Sequence, residues 1–261
     1  MTVSPRDLAI EAARDAGRIL RDRYGHVQEI KYKGEVDIVT DVDEMSERLI
    51  VERIQQHFPN HQILGEESGS TNSSNSNSEY RWIIDPLDGT TNFAHGYPFF
   101  CVSIGLEVDG EFRLGVVYAP VFDELFLAER GQGAFLNGRR MSVSKTDRLI
   151  RSLMSTGFNP DRDLARENLK HWENLTFRTQ ALRRDGSAAL NLCFVAAGRF
   201  DAYWEIGLKP WDLAAGSLMI REAGGSVTNF AGDDHRLADR ALVSSNGLLH
   251  SALLDVLNEL D

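Results

Sequence analysis

The sequence feature that most constrains the fold is a succession of short apolar segments in the middle of the chain. They read RWIID, FFCVSIGLEV, FRLGVVYAP, ELFLAER and GAFLNG, and turn signals such as Asp109-Gly110 and Asn137-Gly138 separate them. Apolar runs of strand length joined by Asp-Gly or Asn-Gly turns are typical of β-hairpins. The sequence therefore predicts a largely antiparallel meander that extends to about residue 140.

Two helices are predicted before these strands. The segment SPRD provides a cap, a first-turn proline and an early acid, and apolar residues then recur at helical spacing, which predicts a helix over residues 5–24. A second helix follows DIVTDVD, so Asp41 and Asp43 are expected at its beginning. Its apolar face is expected to carry Met45, Leu49, Ile50 and Ile54, and its polar face Glu44, Glu47 and Arg48.

Beyond Met141 the sequence alternates between strand-like and helical segments. The predicted elements are a strand at LMSTGF, helices over residues 161–172 and 187–197, a strand at FDAYWE, a helix at LAAGSLMIREA, a strand at ALVSSN and a helix over residues 248–260. This mixture predicts an α+β fold in which helices and sheets stack as layers. We expect one domain over residues 1–261, with possible halves at 1–140 and 141–261.

The segment SGSTNSSNSNS, residues 68–78, is almost wholly small and polar. It has too little apolar surface to order itself by burial, so it is expected to be a mobile surface loop. Acidic residues that look functional lie on both sides of it. We therefore interpret it as a loop on the rim of a site and not as a linker between domains.

Charge and composition restrict the function classes. The chain has 28 Lys and Arg against 39 Asp and Glu, a net charge of −11 that disfavours nucleic acid as a partner. A small phosphorylated substrate would need divalent cations between its phosphate and the protein's carboxylates. Cys101 and Cys193 both lie in apolar runs and are expected to be buried thiols.

No targeting or membrane segment is recognised. The first residues lack a basic region followed by an apolar core, and no apolar stretch approaches the roughly 20 residues of a membrane span. The expected location is the cytoplasm.

The segment RWIIDPLDGTTNF carries the strongest chemical signal. An apolar strand ends in two aspartates, Asp85 and Asp88, Pro86 stiffens the link between them, and Gly89 permits an abrupt change of direction. Carboxylates are the ligands that Mg²⁺ prefers, and the Leu87 carbonyl could add another oxygen. The backbone N–H groups after Gly89 could bind phosphate. Taken alone, both aspartates could equally be ordinary turn residues.

Two further acidic positions strengthen this interpretation. ILGEES places Glu66 and Glu67 after a strand-like run, where surface glutamates are the alternative. LKPWDLAAG places Asp212 before a helix of small residues, where an N-cap is the alternative.

GEES, DPLDGTTNF and WDLAAG, in this order and spacing, resemble the inositol monophosphatase family of metal-dependent, lithium-sensitive phosphatases, which is related to fructose-1,6-bisphosphatases. DIVTDVD and DGSAALNLCFVAAGRFDAYWE resemble further segments of that family, and the resemblance covers nearly the whole chain. It implies a layered α-β-α-β-α sandwich and Mg²⁺-dependent hydrolysis of a small phosphomonoester. It also implies a homodimer.

The resemblance implies two to three Mg²⁺ ions, for which Mn²⁺ is expected to substitute, whereas Ca²⁺ and Li⁺ are expected to inhibit. Glu66, Asp85 and the Leu87 carbonyl would hold the first ion. Asp85, Asp88 and Asp212 would hold the second. One ion would activate a water for in-line attack on phosphorus and the other would stabilise the departing oxygen, without a covalent intermediate.

By the same resemblance, Thr90 and Asp43 would orient the attacking water. Glu66 and Asp88 would take part in catalysis as ligands, and Glu67 could assist. Asp43 would also serve a third metal through water, with Asp37 supporting the nearby backbone; helix capping is the alternative for both aspartates.

The substrate is expected to lie between these residues and the second half of the chain. Phosphate would contact Gly89 and Thr90, and Gly186, Ser187 and Ala188 would line the side of the alcohol, where Glu205 matches an inositol-hydroxyl ligand. The substrate-binding set is completed by the metal-site residues Glu66, Leu87, Asp88 and Asp212. Lys33, Arg183 and Arg184 could be surface cations or could approach the substrate, and His95 is expected to be structural.

Several activities share this metal core. Glu205 favours a polyol such as myo-inositol 1-phosphate, although histidinol phosphate, fructose 1,6-bisphosphate or a nucleotide 3′-phosphate are alternatives. A regulatory protein that binds a macromolecular partner is an alternative of another class. A third possibility is a carboxylate cluster that binds Ca²⁺ only to stabilise the fold.

Overall fold

Helices and strands alternate along the chain, and the computed structural model describes them over residues 3–26, 30–32, 38–71 and 78–260. The α-helices are α1 (Pro5–Arg23), α2 (Asp41–His57), α3 (Thr90–Ala94), α4 (Arg162–Thr176), α5 (Ala188–Ala196), α6 (Pro210–Glu222) and α7 (His250–Leu257), and 3₁₀ helices occur at Leu149–Arg151 and Asn258–Leu260. The strands are β1 (Ile30–Tyr32), β2 (Ile38–Thr40), β3 (Gln62–Gly65), β4 (Gly69–Thr71), β5 (Tyr80–Asp88), β6 (Cys101–Val108), β7 (Glu111–Ala119), β8 (Glu124–Glu129), β9 (Gly133–Leu136), β10 (Arg139–Arg140), β11 (Leu153–Thr156), β12 (Ala181–Arg183), β13 (Ala202–Ile206), β14 (Ser226–Thr228) and β15 (Ala241–Ser245).

The larger sheet has eight strands in the order β10-β9-β8-β7-β6-β5-β3-β4. Strands β5 to β10 form consecutive antiparallel pairs, which confirms the predicted meander. Strand β3 instead runs parallel to β5, with Gly65 opposite Ile84. Because parallel strands end at the same edge of a sheet, this pairing brings Glu66, directly after β3, beside Asp85 of β5.

The smaller sheet has five strands in the order β12-β11-β13-β15-β14. Strand β11 is parallel to both β12 and β13, whereas β15 is antiparallel to β13 and β14. Strands β11, β13 and β15 were predicted from the sequence. Strands β12 and β14 were not, because they have three residues each and are too short to show a periodicity.

Helices cover both sheets and separate them from each other. Helices α1 and α2 pack on the outer face of the larger sheet, α5 and α6 lie between the two sheets, and α4 and α7 pack on the outer face of the smaller sheet. Three hydrophobic cores fill these layers, and the core around α5 and α6 contacts both sheets. The predicted α+β class and the α-β-α-β-α layering are confirmed.

Two glycines allow the inner layer to approach the larger sheet closely. Gly105 of β6 pairs with Gly115 of β7, and both lie under α6. A Cβ atom at Gly115 would lie 2.9 Å from the Cα of Ala215, and one at Gly105 would lie 2.7 Å from the Cβ of Ala214. Because real Cβ atoms do not approach neighbours so closely, these two glycines set the distance between α6 and the sheet.

Some sequence predictions need correction. Glu47 was expected on the polar face of α2, yet only 3% of it is exposed. Its carboxylate accepts hydrogen bonds from backbone N–H groups beyond β3, which is why a charged residue tolerates burial there. Part of the predicted loop 68–78 is strand β4, paired with β3. Residues 72–77, Lys33 and Asp37 lie outside the described residues.

The two cysteines are buried and free, as the sequence predicted. Over the described part of the chain, no helix combines the length and the apolar character needed to cross a membrane.

Candidate active site

Three of the predicted acidic residues lie at one edge of the larger sheet. The backbone N–H of Glu66 donates to the carbonyl of Ile84 at 3.2 Å, so Glu66 lies beside the last part of β5. The sequence predicted a strand at RWIID, which ends at Asp85, and β5 continues through Asp88. The pairing with β6 shifts between Asp85 and Asp88. Such a bulge turns side chains to new directions, and here it separates the directions of the two aspartates.

Gly89 makes the sharp turn that the sequence predicted. Its φ of 104° lies in the left-handed region, and a Cβ atom there would lie 2.9 Å from the carbonyl oxygen of Phe99. Only glycine meets both conditions without strain. The turn leads directly into the short helix α3, whose first residue is Thr90.

Asp212 reaches the same region from the inner layer. Helix α6 begins at Pro210, earlier than predicted, so Asp212 is its third residue and not its N-cap. The Asp212 Oδ2 atom accepts a hydrogen bond from the backbone N–H of Lys209 at 2.6 Å, as an acid in the first turn of a helix can. This hydrogen bond uses one carboxylate oxygen and fixes the orientation of the other.

The electrostatics confirm that the four acids are neighbours. Burial raises the pKa of Asp85 well above its usual value, and the charges of Glu66, Asp88 and Asp212 raise it further. Burial also raises the pKa of Asp212 well above normal, with Asp88 and Glu66 adding to the effect. Buried carboxylates that repel one another are costly unless a cation offsets their charge.

Asp88 accepts several hydrogen bonds from the N-terminus of α5. Its Oδ2 atom accepts from the Ser187 hydroxyl at 2.7 Å and from the Ala189 N–H at 2.6 Å, and its Oδ1 atom accepts from the Ala188 N–H at 3.2 Å. The carboxylate thus lies against the N-terminus of α5, where the helix dipole favours a negative charge. These hydrogen bonds lower the pKa of Asp88, but burial outweighs them and the pKa is raised.

The donor set fits a hard divalent cation. It consists of carboxylate oxygens, of which those of Asp85 and Asp88 belong to buried residues, and the Leu87 carbonyl, whose oxygen lies 3.1 Å from Thr90 Oγ1. Within the described ranges, however, no three or more His, Cys, Asp or Glu side chains have the geometry of a complete metal site. The Asp88 oxygens instead accept hydrogen bonds from the N-terminus of α5.

Thr90 and Asp43 form the contact that the sequence suggested. Thr90 Oγ1 donates to Asp43 Oδ1 at 3.0 Å. The other oxygen of Asp43 accepts from the backbone N–H of Thr40 at 2.9 Å and from the Thr40 hydroxyl at 2.5 Å, which is the capping alternative. One carboxylate oxygen of Asp43 therefore caps the helix and the other contacts Thr90, and the role of this pair in orienting water stays a prediction. Burial raises the pKa of Asp43, and this effect outweighs that of the hydrogen bonds, which act to lower it.

Glu47 is a site residue that sequence reasoning missed. Its carboxylate accepts from the N–H of Glu67 at 2.9 Å and from the N–H of Ser68 at 2.7 Å, and so holds the turn that carries Glu66. A Cβ atom at Gly65 would lie within 2.8 Å of that carboxylate. The available signal was its position four residues after Asp43, on the same side of α2.

The predicted substrate residues lie across a cleft from the acids. The cleft has a volume of about 490 Å³ and is lined by residues of both halves, including Glu66, Asp88, Gly89, Thr90, Gly186, Glu205 and Asp212. A smaller inner cavity extends from it, and Ser187 and Ala188 line that cavity. Asp85 and Leu87 are buried beneath the cleft floor.

Asn92 connects the two sides of the cleft, and the sequence analysis did not single it out. Its Nδ2 atom donates to the carbonyl of Phe99 and to the carbonyl of Asp185, both at 2.7 Å. The second bond ties α3 to the residue before Gly186. An asparagine in the phosphate segment, directly after the two threonines, was the signal for this role.

Glu205 is buried at the end of the cleft, with 8% of the residue exposed. Burial raises its pKa to about 7, and the charge of Asp88 adds to this, whereas the Tyr203 hydroxyl, which donates to Glu205, and the Arg184 charge act in the opposite direction. Tyr203 is fully buried and was also missed. The carboxyl group is therefore poised between its neutral and charged forms near neutral pH.

The remaining sequence candidates separate into two groups. Arg184 lines the cleft, as does Lys209, which was not predicted. Arg183 and His95 are exposed and are not among the residues that line it.

The chain is similar over almost its whole length to known proteins. The model of the family described as "Inositol monophosphatase family" matches residues 4–261. Inositol monophosphatase 2 of Solanum lycopersicum is 45% identical, with 97% of each chain covered. The Nus factor SuhB of Pseudomonas aeruginosa is 44% identical over 95% of this chain and 93% of its own. The crystal structure of the extragenic suppressor protein SuhB from Bartonella henselae matches with a TM-score of 0.92 and 41% identity, covering 97% of this chain and 98% of its own.

Proposed function

This chain belongs to the inositol monophosphatase family and is a phosphoric monoester hydrolase, and from this premise we propose that it hydrolyses myo-inositol 1-phosphate with the aid of Mg²⁺. The observation that carries the proposal is the convergence of four acidic residues, from β3, β5 and α6, beside the Thr90–Asp43 hydrogen bond. Glu205, across the same cleft, is suited to accept hydrogen bonds from hydroxyl groups of a polyol.

Glu66, Asp85 and the Leu87 carbonyl would hold one Mg²⁺, and Asp85, Asp88 and Asp212 would hold a second. When bound, Mg²⁺ supplies Lewis-acid polarisation of water and phosphate oxygens and offsets the repulsion among the carboxylates. A third, loosely held ion would be served by Asp43 through water.

The protein's own groups would position the reacting water and the phosphate. Because the single Thr90 hydroxyl proton is directed at two acceptors, Asp43 Oδ1 and the Leu87 carbonyl, the Thr90 oxygen can accept a hydrogen bond from the attacking water. Glu66 would take part as a metal ligand, and Glu67 would assist. The Gly89 and Thr90 backbone N–H groups would contact the phosphate, and Gly186, Ser187, Ala188 and Glu205 would contact the alcohol portion. This arrangement favours in-line attack by water without a covalent intermediate.

The test is phosphate release from myo-inositol 1-phosphate, histidinol phosphate, fructose 1,6-bisphosphate and a nucleotide 3′-phosphate, each with Mg²⁺ or with EDTA. We expect the highest kcat/KM with myo-inositol 1-phosphate and activity only with Mg²⁺. A higher kcat/KM with another substrate would replace the proposed substrate. Undiminished activity in EDTA would remove the metal mechanism. Adding Li⁺ and Ca²⁺ tests the predicted inhibition, and Mn²⁺ tests the predicted substitution.

A second candidate function is the binding of a macromolecular partner. It is favoured by the similarity to the Nus factor SuhB, which at 44% identity nearly equals that to inositol monophosphatase 2 at 45%. Genetic complementation with Asp88→Asn separates the two. An inactive variant that fully replaces the wild-type chain would support binding, and one that fails would support hydrolysis. The homodimer and the cytoplasmic location stay predictions.

A further inference from the structure

The inner cavity continues the cleft beyond Glu205 towards helix α5. It has a volume of about 150 Å³, and its walls include Asp88, Gly157, Asn191 and Glu205. A single water molecule needs only about 10–15 Å³. The cavity therefore has room for a part of a ligand that is larger than one water, and it opens between the candidate metal site and the candidate alcohol site.

Asn191 has an unusual position in this cavity. It lies in the first half of α5, it is 1% exposed, and its Oδ1 atom has no hydrogen-bond partner. In the described part of the chain, it is the only residue with such an unpartnered buried atom that also lines the cleft or its inner cavity. Buried polar groups are nearly always paired, because an unpaired one costs stability. An amide retained here points to a partner that enters the cavity.

Gly157 provides the room beside Asn191. It follows Thr156, the last residue of β11, which pairs with Trp204, and so it lies next to Glu205 on the neighbouring parallel strand. A Cβ atom at Gly157 would lie 2.1 Å from Oε2 of Glu205 and 2.4 Å from its Cδ. Any larger residue would therefore push the Glu205 carboxylate into the cavity.

The backbone around Gly157 is held firmly in place. The Asn168 Nδ2 atom donates to the Gly157 carbonyl at 2.6 Å, and the Asn168 Oδ1 atom accepts from Trp204 Nε1 at 2.8 Å. Asn168 and Trp204 are fully buried. Gly157 and Glu205 are thus fixed relative to each other, and the wall of the cavity opposite Asn191 keeps its shape.

We propose that Asn191 is a specificity-determining residue whose carboxamide binds a hydroxyl group of the alcohol portion of the substrate inside the inner cavity. The amide can accept a hydrogen bond from a hydroxyl group and can also donate one, whereas the Glu205 carboxyl group only accepts when it is ionised. The two side chains together would therefore form hydrogen bonds with neighbouring hydroxyl groups of a polyol. This inference rests on the proposed hydrolysis of a polyol phosphate.

The test compares two substrates in Asn191→Leu, which replaces the amide by an apolar group of similar shape. One substrate is myo-inositol 1-phosphate and the other is p-nitrophenyl phosphate, which has no hydroxyl group. We expect kcat/KM for the polyol phosphate to fall by about tenfold, mainly through KM, and kcat/KM for the aryl phosphate to stay within about twofold. Asn191→Ala serves the same purpose if the leucine variant does not fold.

The matched control is Ser217→Ala. Ser217 lies on α6 and also has a buried, unpartnered side-chain oxygen, but it lines neither the cleft nor the inner cavity. Its substitution should leave both kinetic constants unchanged. An unchanged ratio of the two kcat/KM values in the Asn191 variants, or an equal loss for both substrates, would overturn the proposal.

The activity of the wild-type enzyme on the different substrates shows whether the proposed function or the proposed role of Asn191 fails. If it cleaves another polyol phosphate better than myo-inositol 1-phosphate, the proposed substrate is wrong, and the Asn191 ratio is measured with the better substrate. If it cleaves p-nitrophenyl phosphate but no polyol phosphate, both proposals are wrong.

Discussion

At the scale of single residues, Asp85 is an example of a buried charge that lowers the stability of the fold and that a bound cation would stabilise. Its carboxylate is fully buried, and the negative charges of three neighbouring acids act on it. Its Oδ1 atom accepts one hydrogen bond, from the Leu87 N–H at 3.0 Å. A pKa raised in the folded protein means that the ionised group destabilises the fold at neutral pH. A bound cation would reverse that effect.

The substitution Asp85→Asn should therefore have opposite effects in two buffers. In EDTA the variant should melt at the same temperature as wild type or higher, because a buried, repelled charge is gone. In Mg²⁺ wild type should gain thermal stability and the variant should not, since a ligand that binds only the folded state stabilises it. Activity should fall at least about a hundredfold. Differential scanning calorimetry and phosphate release measure these quantities.

Glu173→Gln is the control for Asp85→Asn, because Glu173 is an exposed acid on α4, away from the cleft. It should keep the wild-type response to Mg²⁺. If Asp85→Asn gains as much stability from Mg²⁺ as wild type does, Asp85 is not a metal ligand.

The site residues that the sequence revealed lie close to one another in the chain. The site residues that it did not reveal have partners that are distant in the chain. Asp85, Asp88, Gly89 and Thr90 fall within one short segment, so their combination is visible in the sequence. Glu47 and Asn191 act across contacts that only the fold creates: Glu47 holds a turn 20 residues later, and Asn191 faces a cavity built by distant strands. A glutamate at helical spacing looks like a solvated residue until its hydrogen bonds are known.

At the scale of elements, helix α5 links the acidic site to the substrate side. Its N-cap Ser187 accepts from the Leu190 N–H at 3.4 Å and donates to Asp88 Oδ2 at 2.7 Å. One hydroxyl group therefore caps the helix and also orients a candidate metal ligand.

Ser187→Ala should consequently lower both stability and activity. The lost cap should cost about 1 kcal/mol in the free energy of unfolding, and the released Asp88 should lower kcat/KM by about tenfold. The matched control is Ser4→Ala at the N-cap of α1, where the hydroxyl accepts from the Asp7 N–H at 3.1 Å. That variant should lose similar stability and no activity. Urea unfolding and steady-state kinetics measure the two effects, and equal activities in both variants would contradict the assigned link.

Helices and strands with a clear hydrophobic periodicity or turn signal could be predicted from the sequence. Strands that form only because a neighbouring strand offers an open edge could not. Helices α1 and α2 and the meander show clear periodicities and turns, and their bounds agreed within a few residues. Strands β12 and β14 exist because β11 and β15 present open edges to three-residue segments. The extension of β5 through Pro86 was also missed, since a bulge beside β6 accommodates a proline that sequence rules place outside a strand.

At the scale of the whole molecule, helices α5 and α6 pack against both sheets, so the two sheets share the core that lies between them. The division at residue 140 proposed from the sequence falls between the sheets, and the shared inner layer argues for one cooperative unit. Trp82 in β5 and Trp204 in β13 are buried reporters of the two sheets.

We predict that urea unfolding followed by tryptophan fluorescence and by far-ultraviolet circular dichroism gives a single, coincident transition. Gly115→Ala, which forces a methyl group against α6, should destabilise that transition by about 1–3 kcal/mol without splitting it. Val121→Ala, at an exposed position between β7 and β8, should leave the midpoint unchanged. Two separate transitions, or a shift confined to one probe, would show that the halves unfold independently.

The cleft lies where strand ends of the two sheets meet, and this has a consequence for how substrate range can change. The larger sheet carries Asp85 and Asp88, whereas the smaller sheet carries Glu205 and leads into Gly157. Substitutions at the ends of β11 and β13 can therefore reshape the alcohol pocket while the phosphate chemistry stays intact. Enzyme engineers seeking a new phosphomonoester specificity could confine a mutant library to the smaller sheet, and natural divergence among relatives could follow the same route.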